Sequence, residues 1–143
     1  MDVFGLPLHP LVVHGAVVLV PLAALGALAV LFSSWVRARY GWLTVLVAVA
    51  GAAATLAARL SGPALADQIS AGGPAFEAHE MWGQLAVFPA VALALLLPCA
   101  LWAENRSRAG WWVLVALTAI SAVAGLVLVV LTGHSGATAV WGG

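Results

Sequence analysis

Four apolar runs, each at least 18 residues long, take up most of this 143-residue chain. A helix of about 20 such residues crosses the roughly 30 Å hydrocarbon layer of a bilayer. Inside lipid the backbone must satisfy its own hydrogen bonds, which leaves helices or a closed barrel. The runs are Ala, Leu and Val without strict alternation, and that selects helices. Only 7% of the residues are charged, against about a quarter in a soluble domain. The expectation is an all-α integral membrane protein: one domain, a four-transmembrane-helix up-down bundle in contact with the lipid bilayer. The helices are expected near residues 8–32, 42–60, 75–102 and 111–132.

Pro10 and Pro74 mark helix starts, where a missing N–H costs nothing. Gly133 and Gly136 read as stop signals after the fourth span. Residues 61–73, rich in Gly, Pro and Ser, read as the one long loop. Small residues recur every fourth position at Ala50, Ala54 and Ala58 and at Ala86, Ala90 and Ala94, stripes that suit close helix packing in lipid.

Arginine placement sets the orientation. Arg37 and Arg39 lie between the first two helices, and Arg106 and Arg108 between the last two. Arg59 alone falls toward the other side, with Asp2, Asp67, Glu77 and Glu80. Both basic connections are therefore expected in the cytoplasm and both termini outside it. Trp35, Trp42, Trp102, Trp111 and Trp112 form an inner aromatic belt, and Trp82 and Trp141 mark the outer one. An uninterrupted N-terminal span without a basic leader does not read as a cleaved signal peptide. No basic cluster points to nucleic acid.

On this topology all four histidines belong to the outer face. His14 is 21 residues from Trp35, and His79 and His134 are each 23 from Trp102 and Trp111. At 1.5 Å per residue, three histidines on three helices reach one height within about a turn. His9 lies higher, before the helix-starting Pro10. Imidazoles facing into a bundle at one level can hold a metal ion or a haem iron. Gly15 follows His14, Gly133 precedes His134, and Gly83 lies one turn below His79. A macrocycle would need such missing side chains; a bare ion would not. Glu77 and Glu80 flank His79 as orienting carboxylates or as solvated loop groups. Cys99 reads as a small buried hydrophobe, and with one cysteine there is neither an internal disulfide nor a Cys-x-x-Cys-His haem attachment. The spans hold no acid, lysine or arginine at their centres, which argues against a proton-coupled transporter.

The two halves each run histidine, helix inward, Arg-bearing turn, helix outward, the outline of a parallel repeat. The segment PLHPLVVHGAVVLVPLAAL, Pro7 to Leu25, resembles the opening of a bacterial family of small membrane proteins known by a domain-of-unknown-function label. Its members begin Leu-His-Pro, with a second His after three residues, and end in a glycine-rich motif similar to TGHSGATAVW, Thr132 to Trp141. Here Gly15-Ala16 stands where the family often has Phe-Pro. Some relatives are fused to Rieske or cytochrome modules. The resemblance therefore implies electron transfer near the outer face of a bacterial inner membrane.

The functional expectation is a noncovalent haem b. His14 and His79, on the diagonal first and third helices, are the expected axial ligands, with His134 and His9 as substitutes or supporting groups and Gly15, Gly83 and Gly133 making room. A quinone or an extracytoplasmic redox protein is the expected electron partner, and a second copy of the chain a candidate neighbour. An electron carrier or redox subunit is expected rather than a stand-alone enzyme. Two alternatives stand beside it. One is a copper or zinc site held by His14, His79 and His134; the other is a structural subunit of a larger membrane complex.

Overall fold

The computed structural model describes residues 2–3, 6–69 and 72–141, with side chains over 9–66 and 72–141. The side chains of Asp2 and Asp67, and position Ser70, lie outside the described residues. A short antiparallel pairing joins β1 (Asp2–Val3) to β2 (Leu6–Pro7). The rest is four helices: α1 (Leu8–Phe32), α2 (Ser34–Ile69), α3 (Pro74–Ala103) and α4 (Arg108–Trp141). All four are long and apolar enough to cross a membrane.

Two helices run further than their sequence signals suggest. α2 continues through Gly62 and Pro63 to Ile69, taking in most of the expected loop. α4 continues through Gly133 and Gly136 to Trp141, so those glycines do not end it. At 1.5 Å per residue both helices reach roughly 50 Å, more than the hydrocarbon thickness.

α1 packs antiparallel on α2, and α3 on α4, as two helical hairpins. The hairpins join through α1 against α4 and α2 against α3, while α1 and α3 barely touch across the diagonal. Adding 70 to each main inward position of α1 gives an inward position of α3. The buried pairs are Ala16 and Ala86, Val20 and Ala90, Ala23 and Leu93, Ala24 and Ala94, Ala27 and Leu97, and Val30 and Ala100. Adding 74 relates α2 to α4 in the same way, through Thr44 and Thr118, Ala48 and Ala122, and Gly51 and Gly125. The bundle is therefore an approximate two-fold of parallel hairpins, with the axis along the helices.

Close packing follows from the small residues on these stripes. A Cβ on Gly51 would come within 3.3 Å of the Leu19 backbone, so α1 and α2 meet backbone to backbone there. In α3 the Ala86, Ala90 and Ala94 stripe is buried, as its spacing suggests. In α2 the buried stripe is Thr44, Val45, Ala48, Gly51 and Ala52 instead, and Ala50 is exposed. Cys99 is exposed too, on the outside of α3 rather than within the core.

The end with the basic turns is tied by Arg37. Its Nε and Nη2 grip Glu104 Oε1 at 2.8 and 2.7 Å, and Nη1 donates to the carbonyls of Val30 and Leu31 at 2.8 and 3.1 Å. Those carbonyls belong to the last turn of α1, which has no helical partners of its own. The guanidinium also lies 4.9 Å from the Trp111 ring centroid, so one side chain joins all four helices. Arg39 over Trp35 at 5.0 Å and Arg106 over Trp102 at 4.2 Å repeat the stacking along the same aromatic belt.

Candidate functional site

At the opposite end the two hairpins part around a cavity of about 290 Å³. The same pseudo-symmetry governs its walls. His9 and His79, Ala16 and Ala86, Ala58 and Thr132, and Gly62 and Gly136 all line it in equivalent pairs. The extended ends of α2 and α4 close it from beyond, through Leu65 and Ala66 on one side and Ala139 and Val140 on the other. The lining is mostly apolar, and the two imidazoles are its main polar groups away from the rim.

Each histidine is held by the second helix of its own hairpin. His9 Nδ1 donates to the Ala58 carbonyl at 3.0 Å, with Ser61 Oγ at 3.1 Å. His79 Nδ1 donates to the Thr132 carbonyl at 2.9 Å. Ser61 and Ser135, equivalent in the repeat, turn their hydroxyls back to Ala57 and Leu131, both at 2.8 Å. A carbonyl can only accept, so Nδ1 carries the proton in both rings. Nε2 is then the unprotonated nitrogen, with no hydrogen-bond partner among the described residues. A ring whose Nδ1–H is fixed by a carbonyl presents Nε2 in one orientation and with raised basicity, the usual arrangement behind a ligating histidine.

Each ring also rests on a glycine. A Cβ at Gly136 would stand 2.8 Å from His79 Nδ1, and one at Gly62 would stand 3.4 Å from His9 Cε1. Ala58 precedes Gly62 by one helical turn, and Thr132 precedes Gly136 by one turn. Carbonyl and glycine thus form one cradle, built twice, with Ser61 added on the His9 side.

The four candidate histidines divide differently from the sequence expectation. His9 and His79 share the cavity, whereas His14 and His134 are exposed and do not line it. His14 turns its Nδ1 to the Pro10 carbonyl of its own helix at 2.6 Å. Positions 9, 13, 16, 20, 23, 27 and 30 form the inward stripe of α1, and His14 falls about 140° around the axis from it. Because α1 begins at Leu8, His9 is already helical and in phase with that stripe. Of the three candidate glycines only Gly83 lines the cavity. Gly15 packs on Ala54, and Gly133 has open space around it. Gly62 and Gly136 carry loop and stop signals in the sequence, which hide their place behind the histidine rings. Among the described residues no three His, Cys, Asp or Glu side chains converge to hold a metal ion.

The model of one family, described as predicted membrane protein (DUF2231), matches residues 5–143. The chain belongs to the DUF2231 family. The match spans the opening histidine motif, all four helices and the carbonyl–glycine cradle of α4. No curated protein and no solved structure matches this DUF2231 chain. Its site is therefore read from its own residues.

Proposed function

We propose that this DUF2231 protein is a b-type haem protein of the bacterial cytoplasmic membrane, with His9 and His79 as axial ligands near the extracytoplasmic face. One observation carries the reading: two symmetry-related imidazoles, each with Nδ1–H fixed on a carbonyl and Nε2 unpartnered, line one apolar cavity. The residues fit such a group in donor type. Neutral imidazole is an established axial ligand, helices that meet least across the diagonal leave room between them, and glycines sit behind both rings. Bound there, a haem supplies one-electron transfer. His9 and His79 would hold the iron from opposite hairpins, and the apolar lining would keep water from it. Electrons would pass to or from a quinone or an extracytoplasmic redox protein, and the chain would act as a carrier or redox subunit. A metal-ion site has weaker support, because only two imidazoles line the cavity, short of the three or four protein ligands that zinc takes.

Protein purified in detergent from cells supplied with haem is expected to show a reducible low-spin spectrum that organic solvent extracts. Colourless protein with stoichiometric copper or zinc would replace this reading by the metal site. Colourless, metal-free protein that also fails to take up added haem would leave a structural role.

The orientation is open to a separate test. In a Cys99→Ser background, needed because Cys99 is exposed, Ser70→Cys and Thr138→Cys are expected to react with an impermeant thiol reagent on intact cells. Ser107→Cys, in the α3–α4 turn, is expected to react only after lysis. Labelling of Ser107→Cys in intact cells with Thr138→Cys protected would invert the topology.

A further inference from the structure

The cavity is symmetric in its depths and asymmetric at its rim. On the α2–α3 side it runs into a lateral groove, and Arg59, Glu80 and Gln84 line both. Their counterparts under the two-fold are Gly133, Pro10 and His14, none of which lines the cavity. An occupant held by two equivalent imidazoles is thus offered one polar window and no second. Arg59 is the only arginine at this end of the bundle. Its guanidinium carbon lies 5.9 Å from the Phe88 ring centroid, and among the described residues it has no hydrogen-bond or ion-pair partner. Glu77 lines the groove without reaching Arg59, and Glu80 is engaged with Gln84 Nε2 at 3.1 Å. Arg59 is exposed, so its five N–H donors face the rim of the cavity with no protein partner among the described residues.

We propose that Arg59 binds a carboxylate of the occupant, so that the ligand is an apolar ring system with one acidic edge, seated with that edge in the α2–α3 window. This rests on the porphyrin reading of the cavity and adds its orientation and its acidic group. The planar guanidinium fork matches a carboxylate in two parallel charge-assisted hydrogen bonds. The missing counterpart at Gly133 fixes which way round the ring enters.

The test compares iron protoporphyrin IX with its dimethyl ester, titrated into purified wild-type, Arg59→Gln and Arg59→Lys protein and followed by absorbance. Arg59→Gln is expected to bind the free acid roughly tenfold to a hundredfold more weakly than wild type, to bind the ester equally well, and to be partly rescued by Arg59→Lys. Equal loss for acid and ester, or no loss for either, would overturn the assignment of Arg59 while leaving the porphyrin site in place. Wild-type protein that takes up neither form would overturn the porphyrin reading itself.

Discussion

Loaded with iron protoporphyrin IX, His9→Ala and His79→Ala are each expected to lose the low-spin bands of wild-type protein, while His14→Ala and His134→Ala keep them. His9 and His79 are the two rings that line the cavity with Nε2 unpartnered; His14 and His134 are exposed outside it. Removing an outer partner of a ligating histidine costs about 10- to 100-fold in affinity, and removing the ligand itself should cost more. The fold should survive each change, because what is lost inside the protein is one hydrogen bond to a carbonyl, about 1 kcal/mol. Helical circular dichroism and detergent-resistant monodispersity would check that. Loss of the spectrum in His14→Ala with retention in His9→Ala would restore the pairing that depth along the sequence suggests and would require α1 to turn by about 140°.

The placement of His9 rather than His14 on the cavity shows where sequence stops being informative for a chain like this. The four spans, the family membership and the diagonal placement of α1 and α3 are all legible, because length, hydropathy and connection order decide them. The rotation of each helix about its own axis is not. In a soluble bundle an apolar stripe against a polar face phases the helix, but here α1 is apolar all round and lipid is as apolar as the core. The phase is carried by small residues instead. Ala16, Ala23 and Ala27 sit on the buried face, and His9 falls on their stripe while His14 does not. The repeat carries the same information, since shifting the chain by 70 residues lays His9, and not His14, on His79.

The helix ends were hidden for a related reason. Gly62-Pro63 and Gly133 to Gly136 carry the signals that end helices in water. At the membrane boundary α2 and α4 pass straight through them, and two of those glycines serve the histidines rather than the chain direction. A glycine in mid-helix costs about 1 kcal/mol relative to alanine, and at two of these positions a histidine ring stands where a Cβ would reach. Gly136 has such a neighbour in His79, and Gly62 has a looser one in His9.

Gly136→Ala is accordingly expected to abolish haem retention with the bundle as stable as wild type or slightly more so. The added methyl would stand 2.8 Å from His79 Nδ1 and 3.0 Å from Cε1, inside the van der Waals limit. The ring must then leave the Thr132 carbonyl that fixes its proton and its aim, while the α4 backbone gains the helical preference of alanine. Gly62→Ala meets His9 only at 3.4 Å, which a small tilt of the ring absorbs, and it should lower affinity by no more than about tenfold. Gly133→Ala meets nothing within 4 Å and should bind as wild type does. The order Gly136, Gly62, Gly133 in haem affinity, set against flat or rising thermal stability, is the signature of a ring displaced from its cradle. A fall in stability that tracks the loss of haem across the three variants would instead make these glycines packing residues, and would remove the cradle from the account of the site.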